Sequence, residues 1–342
     1  MSIQILEQDL QFGFVPDKFY WEAAGRLDGL PLFPAYRPLI LADKKLFERM
    51  LYCYSPEISE LTFTNLFAWR NVYHFSVSRL FGYLIVIAAA ETEAENEHEK
   101  EKKVILNLLD PIGPLFGKKM VIEGCFQRTP PNTTIRFIRL PHTTASMFAE
   151  DAAYLLTEDR DNSDYVYSRE DLSLLKGSNF DGKRNLIKRF KESTTFQYLP
   201  LTGADITDAL AFVYQWCRIK GCESSENSAG LLHERQALVE MLLNFHALDS
   251  VGGMIKVAGK IVALILGERL NSATLVVHIE KADTAWPGIY QAINMFFSQS
   301  EGAKFTFINR EQDLGIPGLR KAKESYHPHH MVEQFTLARS QV

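Results

Sequence analysis

The residues best suited to chemistry lie in the last third of the chain. From Asn309 to Tyr326 it reads Asn309-Arg310-Glu311-Gln312-Asp313-Leu314-Gly315-Ile316-Pro317-Gly318-Leu319-Arg320-Lys321-Ala322-Lys323-Glu324-Ser325-Tyr326, a dense polar run in an otherwise apolar region. Arg310, Lys321 and Lys323 can hold a phosphate or carboxylate, and Glu311 and Asp313 can orient an amine. Arg320, Lys321 and Lys323 are expected to line a short helix behind the loop, and Asn309 leads into it. Glycines and a proline set its turns. Loops at strand ends commonly carry sites; the plainer reading is a surface crossover. Upstream, His278 and Glu280 are two apart on an expected strand, so they share one face, opposite Val277 and Ile279. An imidazole beside a carboxylate can take a proton from an attacking amine, the step acyl transfer needs. The same pair can equally be a structural contact at a sheet edge.

A third concentration is basic. Between Gly177 and Lys191 the chain places Lys183, Arg184, Lys188, Arg189 and Lys191 on about two helical turns, with Asn185 among them, while Phe180, Ile187 and Phe190 supply a docking face. This fits a solvated amphipathic helix. It also fits phosphate recognition by Lys183 and Arg184, since a guanidinium grips a phosphate at two points.

The patterning indicates what positions these groups. Residues 1–35 are aromatic and broken by Gly and Pro, and are expected to form an extension. In the first half, helices are expected at Lys44–Tyr54 and Ser59–Arg70, then strands at Tyr73–Ser78 and Tyr83–Ala89. After the charged insertion Glu91–Lys103, expected to be a solvated loop, come a strand at Val104–Leu109, a helix at Phe116–Arg128, a strand at Ile135–Ile138 and a helix at His142–Asp151. The second half repeats this order: a strand at Thr195–Leu199, helices at Ala204–Lys220 and Leu231–His246, and strands at Val251–Val257, Ile261–Glu268 and Thr274–Glu280. A helix follows, opened by Pro287, with Ile289, Ile293 and Phe296 on its buried face. A strand at Lys304–Ile308, a helix at Leu319–Glu324 and a closing strand at Val332–Leu337 finish it.

Strand, two helices, three antiparallel strands, helix, strand, helix, strand is the order of the GNAT (acyl-CoA N-acyltransferase) fold. Its recurrence points to an α/β (α+β) chain of tandem GNAT-like domains, each a mixed, mostly antiparallel sheet flanked by helices: a first, degenerate copy over 36–165 and a second over 166–342. The Lys183-Arg184-Asn185 opening, the run Gly253-Met254-Ile255-Lys256-Val257-Ala258-Gly259-Lys260-Ile261-Val262-Ala263, Gly288 before its helix and the step from Gly302 to Phe307 resemble the C-terminal domain of lysyl-phosphatidylglycerol synthases. They are similar, more weakly, to peptidoglycan interpeptide-bridge aminoacyltransferases. The resemblance spans about 170–340. It implies transfer of an aminoacyl group from a charged tRNA to an amine or hydroxyl acceptor, in a cleft where the fourth and fifth strands part. It also implies a general acid at Tyr326, where many GNAT enzymes keep a tyrosine. At Val277-His278-Ile279-Glu280-Lys281 and at Asn309–Gly315 the residues differ from the lipid transferases' pattern, which points to a separate branch without a membrane region. Of an acyl-CoA pyrophosphate loop only Gly288 is present, the one glycine there that admits close backbone approach.

Composition bounds the rest. The 342 residues suffice for two domains, and 37 basic against 42 acidic side chains, a net charge of −5, give no global field to attract nucleic acid. tRNA binding therefore needs a local patch. No apolar run approaches the roughly 20 residues of a membrane helix, and no secretory signal opens the chain. A cytoplasmic protein is expected, with Cys53, Cys125, Cys217 and Cys222 as reduced thiols and no metal, the histidines at 327, 329 and 330 forming a surface cluster. The leading expectation is an aminoacyl- or acyltransferase acting on a small or peptide-like acceptor, its co-substrate an aminoacyl-tRNA or an acyl-CoA. The second is a ligand-binding or regulatory protein that kept the fold without the chemistry.

Overall fold

The computed structural model describes residues 27–91, 104–222 and 228–340. Residues 1–26 of the expected extension and 92–103 of the charged insertion lie outside them. In chain order the elements are β1 (Arg37–Pro38), α1 (Lys44–Tyr54), α2 (Phe63–Tyr73), β2 (Phe75–Leu80), β3 (Tyr83–Glu91), β4 (Val104–Leu108), α3 (Lys118–Gln127), β5 (Thr133–Pro141), α4 (His142–Ala145), β6 (Tyr154–Glu158), β7 (Asp164–Ser168), α5 (Arg169–Leu174), α6 (Asp181–Ser193) and β8 (Phe196–Pro200). They continue with α7 (Ile206–Lys220), α8 (Ser228–Leu243), β9 (Val251–Val257), β10 (Lys260–Arg269), β11 (Thr274–Ala282), α9 (Ile289–Gln299), β12 (Phe307–Asn309), α10 (Pro317–Glu324), β13 (His330–Val332) and β14 (Gln334–Arg339).

The chain packs into two units. Of the described residues, one takes those within 27–55, Arg70–Arg160 and 333–340, and the other those within Pro56–Trp69 and Asp161–Val332. Each is built on a seven-stranded sheet, ordered β1-β2-β3-β4-β5-β14-β6 in the first and β8-β9-β10-β11-β12-β7-β13 in the second. In each, one pair is parallel, β4 with β5 and β11 with β12, and the other described pairs are antiparallel. A parallel pair needs a crossover, supplied by α3 in the first unit and α9 in the second. Three strands sit where none was expected, the two-residue β1 and the five-residue β6 and β7. The expected closing strand is divided: β13 pairs with β7 in the second unit, whereas β14 pairs with β5 and β6 in the first.

The second sheet is covered on both faces, so its central strands are apolar on both sides. On one face Ile187 and Phe190 of α6 and Ile289, Ala292, Ile293 and Phe297 of α9 pack on Tyr165, Tyr167, Ile265, Leu275 and Val277. On the other, Phe212, Val213 and Trp216 of α7 and Leu238, Met241 and Leu242 of α8 pack on Met254, Leu264, Leu266 and Ile279. Each such large side chain, fully buried, contributes roughly 1.5–3 kcal/mol. The expectation of reduced thiols fails at α7. The helix ends at Gly221 with φ 66°, turning the chain back so that Cys222 bonds Cys217 across a Cα–Cα distance of 5.3 Å. The five-residue spacing suits a helix C-terminus closed by a left-handed glycine, where donors and carbonyls are brought together.

The β10–β11 ladder is irregular in one place. Leu266 pairs with Ile279 and Gly267 with Val277, leaving His278 as an extra residue on β11, a β-bulge. Opposite it, a Cβ on Gly267 would run into the carbonyl oxygen of Val276. Gly267→Ala should therefore open the ladder and destabilise the protein by roughly 1–3 kcal/mol, while Gly318→Ala, which meets nothing within 4 Å, should be close to neutral. Thermal or urea unfolding of the two variants checks this.

Candidate functional site

The site forms where β11 and β12 separate. Their parallel ladder runs only from Thr274 and Phe307 to Val276 and Asn309. Beyond it β11 stays with β10 through Ala282, while the β12 side continues its pairing with β7, Arg310 N donating to Tyr165 O (2.9 Å) and Tyr165 N to Glu311 O (3.2 Å). The bulge also changes which way β11 points. Val277 packs on the α6/α9 face but Ile279 on the α7/α8 face, so the even alternation expected of them is broken. His278 and Glu280 consequently do not share a face, and the expectation that they act as one pair is corrected.

On the His278 side, Nδ1 lies 2.7 Å from Glu311 Oε1 and Nε2 lies 2.9 Å from Glu268 Oε1, with 2% of the side chain exposed. Burial alone would lower the imidazole pKa, but the two carboxylates outweigh it and raise it to about 10. With a carboxylate on each nitrogen, His278 is an imidazolium with no lone pair for a substrate proton. Next to it Asn309 Oδ1 accepts from Glu311 N (2.8 Å), and Asn309 Nδ2 donates to Asp164 Oδ2 (2.9 Å). Asp164 also accepts from Ser59 N (2.8 Å), Ser59 Oγ (2.9 Å) and Gln312 Nε2 (2.9 Å). Its burial, and after that the charge of Glu60, pushes the carboxyl well above the usual carboxylate range against these donors.

On the other face Glu280 Oε2 accepts from Arg310 Nη2 (3.0 Å) and from Asn294 Nδ2 of α9 (3.2 Å). Among the described residues neither bond reaches Oε1. The Arg310 guanidinium carbon lies 4.8 Å from the Tyr326 ring centre and 5.6 Å from that of Tyr167, and its Nη1 is buried without a hydrogen-bond partner among the described residues. Burial raises the Tyr326 phenol far above its ordinary pKa, only partly opposed by Arg310, so it keeps its proton at neutral pH. Lys183 Nζ sits 4.2 Å over the same ring and donates to Ser325 O and, at 3.0 Å, to Ser325 Oγ. Burial, then Arg310, lowers the Lys183 pKa. The buried Lys323 donates to the carbonyls of Arg310 and Glu311, and burial, then Arg310, pushes it down to about 8.

The remaining candidates stand elsewhere. Arg184 is occupied with the carbonyls of Leu175 and Gly177 and with Asp181, closing the turn between α5 and α6. Asn185 and Lys321 are exposed. Arg320 grips Asp313 through Nε and Nη2, both at 2.9 Å. Burial would raise Asp313, but Arg320, the Tyr165 hydroxyl (2.6 Å) and Gly315 N (2.9 Å) hold it well below the carboxylate range. This pair braces the loop. Gly288 has φ 89°, and a Cβ there would strike the carbonyl of Leu186; the close approach is to the chain's own helix α6. His329 and His330 pack on Phe307, with ring centres 5.0 and 5.6 Å away. Five residues of the site were not foreseen: Glu268, Asn294, Asp164, Tyr165 and Tyr167. Glu268 closing an apolar strand and Asn294 in the apolar stripe of α9 were visible as misplaced polar groups; β7 gave no periodic signal.

The His278 ion pairs bear on stability. A histidine near pKa 10 when folded and 6.5 when unfolded contributes stability that is complete below pH 6.5 and is lost as pH rises through 10. Lys323, lowered to about 8, acts in the opposite sense between 8 and 10.5, so the difference between proteins is the clean quantity. The unfolding free energy of the wild type minus that of His278→Gln should be on the order of a few kcal/mol at pH 6 and shrink steadily toward pH 10. Urea unfolding at stepped pH measures it; a difference that grows with pH would refute the ionised clamp.

Comparison with known proteins supplies the family. The family described as "Phosphatidylglycerol lysyltransferase, C-terminal" matches residues 53–338. A conserved protein of unknown function from Bacteroides thetaiotaomicron VPI-5482 is 32% identical, with a TM-score of 0.76 over 89% of this chain and 99% of that one. The structure described as L-PGS from Bacillus licheniformis shares the fold, with a TM-score of 0.59 at 13% identity over 88% of this chain and 93% of that one. No curated protein matches. With most of its length matched, this chain belongs to the phosphatidylglycerol lysyltransferase C-terminal domain family.

Proposed function

We propose that the second unit transfers an aminoacyl or other acyl group to an amine or hydroxyl acceptor at the Glu280–Arg310 pair. One observation carries the reading: at the parting of β11 and β12 a carboxylate keeps one oxygen, Oε1, out of its two described hydrogen bonds, beside a guanidinium whose buried Nη1 has no hydrogen-bond partner among the described residues. An unsatisfied buried donor costs roughly 1–3 kcal/mol, a cost relieved when a ligand completes it. Glu280 Oε1 takes the proton of the attacking nucleophile, and Arg310 Nη1 faces the oxygen that gains charge. The Tyr326 phenol returns a proton to the leaving oxygen, and Lys183 above its ring favours an anionic portion of the donor. Membership of the phosphatidylglycerol lysyltransferase C-terminal family favours an aminoacyl donor, which we take to be an aminoacyl-tRNA rather than an acyl-CoA, and Gly288, packed on α6, gives no support to a CoA loop.

The first unit fits a degenerate copy of the same GNAT-like fold, which makes the chain a tandem. Its strands follow the same order of parallel and antiparallel pairs, but its parallel ladder stays closed over five residue pairs and β3 pairs with β4 without a bulge. It thus lacks the device that opens a site in the second. We take the reaction to occur in the cytoplasm; among the described residues no helix is long and apolar enough to cross a membrane.

The test uses the full chain with lysyl-tRNA and other labelled aminoacyl-tRNAs, and separately with acetyl-CoA, offering phosphatidylglycerol vesicles, small amines and short peptides as acceptors. Glu280→Gln is expected to lower transfer by about 10²–10⁴-fold, and Tyr326→Phe by about 10–100-fold, with unchanged circular dichroism. Binding without product from any donor would favour instead a ligand-binding protein that kept the fold.

A further inference from the structure

We propose that His278 is a positioning residue: held between Glu268 and Glu311, it bridges the parted ends of β11 and β12 and so fixes where Glu280 and Arg310 stand. The inference rests on reading that pair as the reacting site. It begins with register. Continuing the ladder past Val276 and Asn309 would set Val277 opposite Arg310 and His278 opposite Glu311. No backbone bonds form there; the Nδ1 to Oε1 contact of 2.7 Å stands in their place. Across the sheet Glu280 meets Arg310 at 3.0 Å. The gap is therefore spanned twice, once on each face.

The two spans are mechanically linked, because Glu280 follows His278 by two residues on β11 and Arg310 adjoins Glu311 on the other side. Glu311 is held by more than the histidine. Its φ of 57° lies in the left-handed region, which strains a non-glycine residue. That conformation is secured by Asn309 Oδ1 on its N–H, and by Tyr165 N and Lys323 Nζ on its carbonyl. Glu268 anchors the imidazole to β10, on the far side of the bulge. The charged groups around this cluster are Glu268 from β10, Glu311 from the segment after β12, Lys323 from α10, Asp164 from β7 through Asn309 and, beside Asp164, Glu60 from the 56–69 segment. With both nitrogens engaged and 2% of the side chain exposed, His278 touches no reacting atom and acts only through Glu280 and Arg310.

Two measurements without substrate and one with it test this. In ¹⁵N NMR of the full-length wild type, the His278 ring is expected in its doubly protonated form at pH 7.5; a neutral ring would overturn the clamp. In His278→Gln and in the milder Glu311→Gln, amide exchange over 277–282 and 309–313 is expected to quicken at least about tenfold more than exchange in β9 and α9, which reports only the global loss of stability. In the transfer assay, kcat should fall by about a hundredfold with KM little changed, the loss expected for misplacement by about 1 Å. Unchanged exchange in both variants would overturn the proposal, whether or not activity fell, since an activity loss without loosening would make His278 a direct participant. If neither variant folds, the wild-type ring titration alone decides. Absence of product with the wild type counts against the transferase reading only, because the NMR and exchange results do not depend on it.

Discussion

Everything at this site depends on one event in the second sheet, the failure of β11 and β12 to stay together. A parallel pair left to itself continues its evenly spaced hydrogen bonds. Here two local features end the ladder: an extra residue on β11 and a left-handed residue on the segment after β12. On the β12 side Arg310 N and Glu311 O pair with Tyr165 and Glu311 N with Asn309, while β11 keeps its ladder to β10 along its other edge, so the parting breaks neither of these pairings. What it creates is room for side chains of opposite charge to face each other at the centre of a domain rather than at its rim.

The bulge explains why two neighbouring acid–base residues have such different settings. A strand without it would put His278 and Glu280 on one side, and their charges would merge into a single cluster. With it, His278 goes to two carboxylates and is fixed as a cation, while Glu280 goes to a guanidinium and an amide. Opposite charge at hydrogen-bond distance is worth far more in a buried site than in water, so each group is held in place by its own partners. The arrangement keeps the His278 cluster apart from the Glu280–Arg310 pair, on opposite faces of β11.

Much of the framework was legible in the sequence because it follows from periodicity. Helix α1 runs Lys44–Tyr54 as expected, the three strands β9 to β11 fall within two residues of expectation, and Ile289 and Ile293, expected on the inner face of α9, are buried there. The candidate loop from Asn309 to Tyr326 does contribute Arg310 and Tyr326 to the cluster around Glu280. What could not be read was anything decided by pairing. A bulge leaves no mark in composition, so the shared face assigned to His278 and Glu280 was wrong. The closing strand was given to the second half because adjacency in sequence is the default expectation, yet β14 lies in the first sheet. Arg184 and Asp313 resembled ligand-binding groups because charge alone does not tell whether a carbonyl or guanidinium of the same chain already satisfies them.

The same limit bears on the disulfide and on Gly288. Cys217 and Cys222 looked like separate thiols in a chain with few cysteines, but the turn at Gly221 makes them neighbours. Gly288 resembled a phosphate-loop remnant because glycine permits close approach, and glycine is indeed required there; the partner is the Leu186 carbonyl of α6. That contact places the first turn of α9 directly on α6, and it is α9 that supplies Asn294 to Glu280 while α6 supplies Lys183 to Tyr326. A glycine that seemed to belong to a ligand therefore acts one step earlier, setting the spacing of the two helices whose side chains complete the opening between the strands.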